Sequence, residues 1–268
     1  MSPKNNLSDT ILETKALTMH FGGLMALNSV SLKIQRLSIT ALIGPNGAGK
    51  TTLFNCLTGL YKPSGGQIIF NKSSRESLHL NGRAPYCVSR LGLARTFQNI
   101  RLFNNLTVLE NVLIGGHCRL KSGLWGALFR GRKTKKEEKD ILEYSHSLLK
   151  NYGLAREAGS LAKNLPYGAQ RRLEIIRALA AGPSILLLDE PAAGLNLAET
   201  KELEEIIEKV RDLEKLTIIL IEHDMSLVMS ISHQIHVLDY GRLIASGPPE
   251  AIRCDPQVIR AYLGAAAS

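Results

Sequence analysis

Short apolar runs separated by polar or glycine-rich breaks recur along the whole chain. Leu12 to Thr18 predicts a first strand, Phe21-Gly22-Gly23 a turn, and Ala26 to Ile34 a second strand with alternation at Leu27, Val30, Leu32 and Ile34. Three other runs are apolar almost throughout: Ile39 to Ile43, Ile185 to Asp189 and Thr217 to Ile221. That is the pattern of strands covered on both faces, as in a parallel sheet. Helices are predicted over Leu53 to Leu57, from Val88 onward for a short stretch, and over Thr107 to Leu113, Asp140 to Tyr152, Tyr167 to Ala181 and Thr200 to Leu213. The last mixes Glu and Lys, as on a solvent-facing helix. Lys62-Pro63-Ser64-Gly65-Gly66 breaks the chain before a strand at Gln67 to Phe70, residues 71–83 read as a polar loop, and Leu93 to Phe97 reads as another strand. The tail alternates short elements at Ile235 to Leu238, Arg242 to Ala245, Pro249 to Arg253 and Pro256 to Leu263. Strands alternating with helices predict an α/β domain.

Composition narrows this only slightly. With 268 residues and 44% hydrophobic content, the chain can bury a full core. No apolar run approaches the ~18 residues of a membrane span; Leu216 to Ile221 is among the longest. Residues 1–12 hold no long apolar stretch, so no signal peptide is expected and the chain is expected in the cytoplasm. Cys56, Cys87, Cys118 and Cys254 are scattered without a C-x-x-C pair, which suits reduced thiols and offers no metal site. A net charge of +9 is compatible with nucleic acid, anionic lipid or a nucleotide as partner. Residues 116–139 concentrate basic side chains around the single tryptophan, Trp125, and read as a solvated loop and helix start rather than a contact surface.

Candidate chemistry begins at Gly44-Pro45-Asn46-Gly47-Ala48-Gly49-Lys50-Thr51-Thr52, which fits the phosphate-binding pattern G-x-x-x-x-G-K-[ST]. The glycines allow a tight turn whose N–H groups face inward toward phosphate oxygens. Lys50 supplies a point charge for the outer phosphates, Thr51 a hydroxyl for Mg²⁺, and the following helix the positive end of its dipole. Ile185 to Asp189 ends in an acid, and a second acid, Glu190, follows it directly. Asp189 is placed to hold Mg²⁺ through water, and Glu190 to polarise an attacking water. His223 follows the buried strand Thr217 to Ile221, where a parallel strand reaches the same sheet edge, and Gln98 follows Leu93 to Phe97 within reach of metal or water. Leu165-Pro166-Tyr167-Gly168-Ala169-Gln170 opens a helix and makes a second anion-attracting end.

This order, from the Gly44–Thr52 loop through Gln98, Leu165 to Gln170, Asp189-Glu190 and Ala193-Gly194-Leu195-Asn196 to His223, resembles the ATP-binding-cassette (ABC) ATPases from about Leu12 to Leu263. Arg95-Thr96-Phe97-Gln98, Thr107 to Val112, Arg171-Arg172-Leu173-Glu174-Ile175 and Ile221 to Met225 look most like the ATPase subunit of bacterial branched-chain amino-acid importers. The resemblance implies a P-loop NTPase of ABC type spanning residues 1–268. It has a mostly parallel central sheet, an antiparallel β subdomain, a helical subdomain over about 99–182 and a basic insert at about 116–139. It implies ATP and Mg²⁺ as cofactors, with Phe21 stacking on adenine and residues 44–52 binding phosphates. Thr51, Gln98 and Asp189 would serve the metal, and Glu190, His223 and Gln98 the hydrolysis. Gly168 and its neighbours would bind the γ-phosphate held by a second ABC ATPase subunit. The implied partners are transmembrane permease subunits and, indirectly, a periplasmic or extracellular substrate-binding protein. No nucleic acid is expected, and the place of work is the inner face of the cell membrane. The chain departs from the common pattern at Pro166, Tyr167, Ala169 and Asn196, where many members carry Ser, Gly, Gln and Asp. An export ATPase for lipid-linked material shares the Tyr-Gly stretch and the Arg-Arg pair. A soluble cassette protein on ribosomes or DNA, and a small-molecule P-loop kinase, are the remaining alternatives.

Overall fold

The computed structural model describes residues 10–73, 76–117 and 132–265. Strands β1 (Thr10–Phe21) and β2 (Leu24–Gln35) pair antiparallel across the Gly22-Gly23 turn. Ala16 and Ser29 take left-handed backbone, φ 46° and 54°, at irregularities in this ladder. Such bulges slip the alternation by a residue, and so Leu27 and Val30, three apart, are both buried. On its other side β1 pairs with β4 (Gly65–Ser73), and β4 with β5 (Glu76–His79), completing the antiparallel sheet β2-β1-β4-β5. The polar stretch read as a loop at 71–83 therefore contains the end of β4 and all of β5. An edge strand with one partner needs no apolar face, and this one has little.

The second sheet runs β10-β9-β3-β8-β7-β6, built from β3 (Ile39–Ile43), β6 (Leu93–Arg95), β7 (Ile185–Asp189), β8 (Thr217–Ile221), β9 (Gln234–Asp239) and β10 (Arg242–Gly247). All neighbours are parallel except β10, which folds back antiparallel on β9. Every residue of β3, β7 and β8 is buried, as strands covered on both faces require. Parallel pairing places the C-terminal ends of β3, β6, β7 and β8 on one edge, where α/β sheets bind ligands.

One face of this sheet packs on the antiparallel sheet and on α1 (Lys50–Leu57), around Leu53, Phe54, Phe70, Leu187 and Ile221. The other carries helices. Helix α2 (Pro85–Leu91), whose buried Val88 joins the first face, precedes β6, while α3 (Val108–Gly116), α4 (Arg132–Asn151) and α5 (Tyr167–Ala180) pack together on the second. Thr107 opens α3 with a capping box closed by Glu110. A Cβ on Gly115 would lie 2.1 Å from the Arg177 carbonyl oxygen, so the α3–α5 approach requires glycine there. Helix α4 starts before the expected Asp140, at Arg132. Helices α6 (Leu197–Glu214), α7 (Met225–Ile231), α8 (Pro249–Arg253) and α9 (Pro256–Ala265) complete the described fold. Trp125 and most of the basic stretch lie outside the described residues.

Candidate functional site

The Gly44–Thr52 loop leaves the end of β3 and turns into α1. Gly44, Gly47 and Gly49 have φ of 145°, 79° and 100°. At Gly44 a Cβ would stand 2.0 Å from the Leu238 carbonyl oxygen, and at Gly49 2.6 Å from that of Ala26. Both positions thus need glycine for conformation and for space. The first turn of α1 holds no acidic residue to compete for its amides. Lys50 is buried, and its Nζ donates to the carbonyls of Gly44 at 2.6 Å and Pro45 at 2.9 Å. Burial lowers the Lys50 pKa, and the Glu190 carboxylate opposes that shift. A cradle of backbone amides, a lysine and a helix N-terminus suits a polyphosphate.

The loop opens on a cavity of about 390 Å³ lined by Phe21, Leu24, Met25, Asn46 to Thr52, Glu190, His223 and Tyr240. Phe21 borders it, half exposed, with its ring edge-to-face on Tyr61 at 5.3 Å. Gly44 and Pro45 line the adjoining depression with Tyr262 of α9.

Opposite the loop, Glu190 follows β7 with φ 47°, left-handed backbone that is uncommon outside glycine. Its amide donates to the Ile221 carbonyl at 2.9 Å, which ties the turn to β8. Both carboxylate oxygens are engaged: Oε1 with His223 Nε2 at 2.9 Å, and Oε2 accepting from Gln98 Nε2 at 2.7 Å. The fold thus brings together three side chains from the ends of three strands, beside the glycine loop at the end of a fourth. Asp189 is 4% exposed and accepts from Arg95 at 2.6 Å; Arg95 also donates to Asn55 of α1 at 2.6 Å.

Thr51, Gln98 and Asp189 are hard oxygen donors, the type Mg²⁺ takes. Among the described residues no group of three or more His, Cys, Asp or Glu forms a metal cage.

Gly168 is not part of the P-loop cavity of its own chain. It lies in the first turn of α5 with Glu199 as neighbour, while Tyr167 donates its hydroxyl hydrogen to the Ala193 carbonyl at 3.1 Å. Asn196 caps α6 through the amides of Ala198 and Glu199.

Sequence reasoning named Arg95 and Glu222 within longer motifs but gave neither a role. Glu222 is 4% exposed, accepting from the amides of Ala192 at 2.6 Å and His223 at 2.9 Å. Burial raises its carboxyl pKa, against the backbone amides that lower it. The available signal was a charge embedded in or directly following an apolar strand.

A glycine loop between a buried parallel strand and a helix, facing an acidic strand end with one strand between, defines a P-loop nucleotide-binding protein. The flanking antiparallel sheet and the α3–α5 helical layer are those of an ATP-binding cassette. The family profile described as ABC transporter matches residues 27–193, and one described as branched-chain amino acid ATP-binding cassette transporter matches residues 242–268. The chain is 49% identical over 260 residues to the Salmonella typhimurium high-affinity branched-chain amino acid transport ATP-binding protein LivG, covering 97% of this chain and 100% of that protein. It is 46% identical to the Pseudomonas aeruginosa protein BraF, of the same description, with the same coverage. A solved ATP-binding cassette of an ABC transporter in its ADP conformation superposes with a TM-score of 0.81 at 30% identity, covering 95% of this chain and 99% of that one. The chain belongs to the ABC transporter family of ATP-binding proteins.

Proposed function

We propose that this chain is the ATP-hydrolysing subunit of a membrane importer for branched-chain amino acids. The observation that carries the reading is Glu190, held between His223 and Gln98 at the mouth of the glycine loop. The substrate rests on the similarity to LivG and BraF and on the profile over residues 242–268.

In this reading residues 1–268 form one cassette, with a helical subdomain over about 99–182 and a basic insert over about 116–139. Residues 44–52 bind the phosphates of ATP, Lys50 releasing its loop carbonyls for the outer phosphate oxygens. Phe21 stacks on adenine. Thr51, with Gln98 and Asp189, holds Mg²⁺, which supplies neutralising charge on the phosphates when bound. Glu190 accepts a proton from the attacking water, and His223 and Gln98 fix the direction in which its carboxylate points. Gly168 and the start of α5 meet the nucleotide of a second ABC ATPase subunit, which is consistent with their distance from their own P-loop. The work is coupled to transmembrane permease subunits; no described helix of this chain is itself long and apolar enough to cross a membrane. Half-exposed Leu60, Phe103 and Ile114 border a groove of about 400 Å³ beside Phe97 and offer such a partner an apolar seat next to the Gln98 loop. The protein then works as a peripheral subunit on the inner membrane face, served by an external substrate-binding protein.

Glu190→Gln tests this. The change keeps shape and removes the proton acceptor, so hydrolysis should fall by roughly 10²–10⁴-fold while ATP still binds. Near-normal turnover would remove Glu190 from the role of base. In membranes containing the matching permease, the same variant should stop ATP-driven uptake of labelled leucine.

A further inference from the structure

Gln98 reaches Glu190 only if the loop after β6 is held in place, and the described residues show what holds it. Arg171, in α5, is the bulkiest fully buried side chain, 1% exposed, and Glu174 one turn later is equally buried. The two form an ion pair at 3.0 Å. Arg171 Nη1 donates to the Phe97 carbonyl at 2.9 Å, and Nη2 to the Gln98 carbonyl at 2.9 Å. Glu174 Oε1 accepts from the amides of Phe97 at 3.4 Å and Arg101 at 3.3 Å. One guanidinium and one carboxylate thus bind two carbonyls and two amides across residues 97–101. Burying two charges is costly, and hydrophobic replacements of equal volume are often no less stable. Stability alone therefore gives little reason for the pair, whereas fixing a loop whose side chain touches the catalytic carboxylate does.

We propose that Arg171 and Glu174 are positioning residues for hydrolysis, clamping the Phe97–Arg101 backbone so that the Gln98 amide meets Glu190. They act through Gln98 and do not line the cavity of the glycine loop. The clamp sits in the helix whose first turn holds Gly168, and Arg171 Nη2 also lies 3.5 Å from the Tyr167 hydroxyl. A shift of the first turn of α5 on engagement of the second subunit is therefore transmitted directly to the backbone carrying Gln98.

The proposal rests on the ATPase reading, and its test separates the two. Arg171→Lys keeps a charge for Glu174 but lacks the planar fork that spans both carbonyls. It should lower kcat about 10- to 100-fold at unchanged KM for ATP, as misplacement of a catalytic group does. In a Gln98→Ala background it should lower kcat no further, because the clamp has nothing left to position. Glu174→Gln should speed amide hydrogen exchange at Phe97 and Arg101 on the order of tenfold, and less elsewhere in the fold. The exchange measurement needs no turnover: a wild type without ATPase activity would sink the functional reading and leave the clamp still testable. Losses of kcat that add fully to those of Gln98→Ala, or exchange at Phe97 and Arg101 that does not change, would overturn the proposal. Should Arg171→Lys not fold, Glu174→Gln serves in the same kinetic cycle with the same expectations.

Discussion

At the scale of single residues, several departures from the common family pattern have local physical roles. Asn196 offers no charge where many relatives carry Asp, yet its Oδ1 accepts from the amides of Ala198 and Glu199 at 2.9 and 3.0 Å, and its own backbone amide donates to the Glu199 carboxylate. This is a complete capping box for α6, for which Asn and Asp serve about equally. Asn196→Ala should lower stability by about 0.5–2 kcal/mol in urea denaturation, and Asn196→Asp should leave it nearly unchanged. Matching losses in both variants would show that the amide does something other than cap. Pro166 lacks both hydroxyl and N–H, and α5 accordingly begins with no side-chain cap. Lys50, expected to reach the outer phosphates, instead folds its ammonium onto the carbonyls of Gly44 and Pro45. Lys50→Ala should therefore abolish tight ATP binding and also leave two loop carbonyls without their donor. A titration with unchanged ATP affinity would count against the phosphate cradle.

At the scale of elements, legibility in the sequence followed burial. Strands β3, β7 and β8 read correctly because each is sealed on both faces and so is apolar throughout. β5 was illegible because Glu76 to His79 makes its bonds along one edge and buries almost nothing. Helix α7 was overlooked although Asp224 caps it through the Ser226 and Leu227 amides; only seven residues follow, too few to show a helical period. The glycine loop was legible because a contiguous motif specifies it. The Arg95–Asp189 and Arg171–Glu174 pairs were not, since their meaning lies in partners 94 residues away or on a distant loop backbone. His236 in β9 shows how a buried group couples an element to pH. Its ring is 4% exposed between Ser246 and the Lys33 carbonyl, and burial lowers its pKa below the usual 6.5. As pH falls through 6.5 the unfolded chain takes up this proton and the folded one does not, so stability is complete above that pH and declines below it. Urea denaturation at pH 7.5 and 5.5 should show a smaller pH-dependent loss for His236→Gln than for wild type. Equal losses would assign the dependence to other histidines.

At the scale of the whole molecule, the arrangement is asymmetric. The glycine loop, Glu190, His223 and Gln98 share one edge of the parallel sheet, while Gly168 lies on α5 beside Glu199, apart from that cavity. In the function proposed above, the phosphate cradle at one place and the anion-attracting helix end at another would be completed by a second copy or a related subunit, turned head to tail. Gly168→Asp probes this without touching the cradle. The added Cβ would come within 3.0 Å of Glu199 Oε1, so the carboxylate that closes the α6 capping box must shift slightly. An acid in the first turn of α5 is favoured by the helix dipole, so folding should survive. The same carboxylate would occupy and charge the place meant for the partner's γ-phosphate, at a cost that grows as water is excluded. In a Glu190→Gln background, which hydrolyses little, the parent should run as a dimer in Mg-ATP and as a monomer without it. Adding Gly168→Asp should leave ATP affinity intact and return the protein to monomer under both conditions. Light scattering coupled to size-exclusion chromatography reads the mass directly. A persisting ATP-dependent dimer would place the subunit contact elsewhere than at the start of α5, and a parallel loss of ATP affinity would mean that Gly168 serves its own chain's nucleotide.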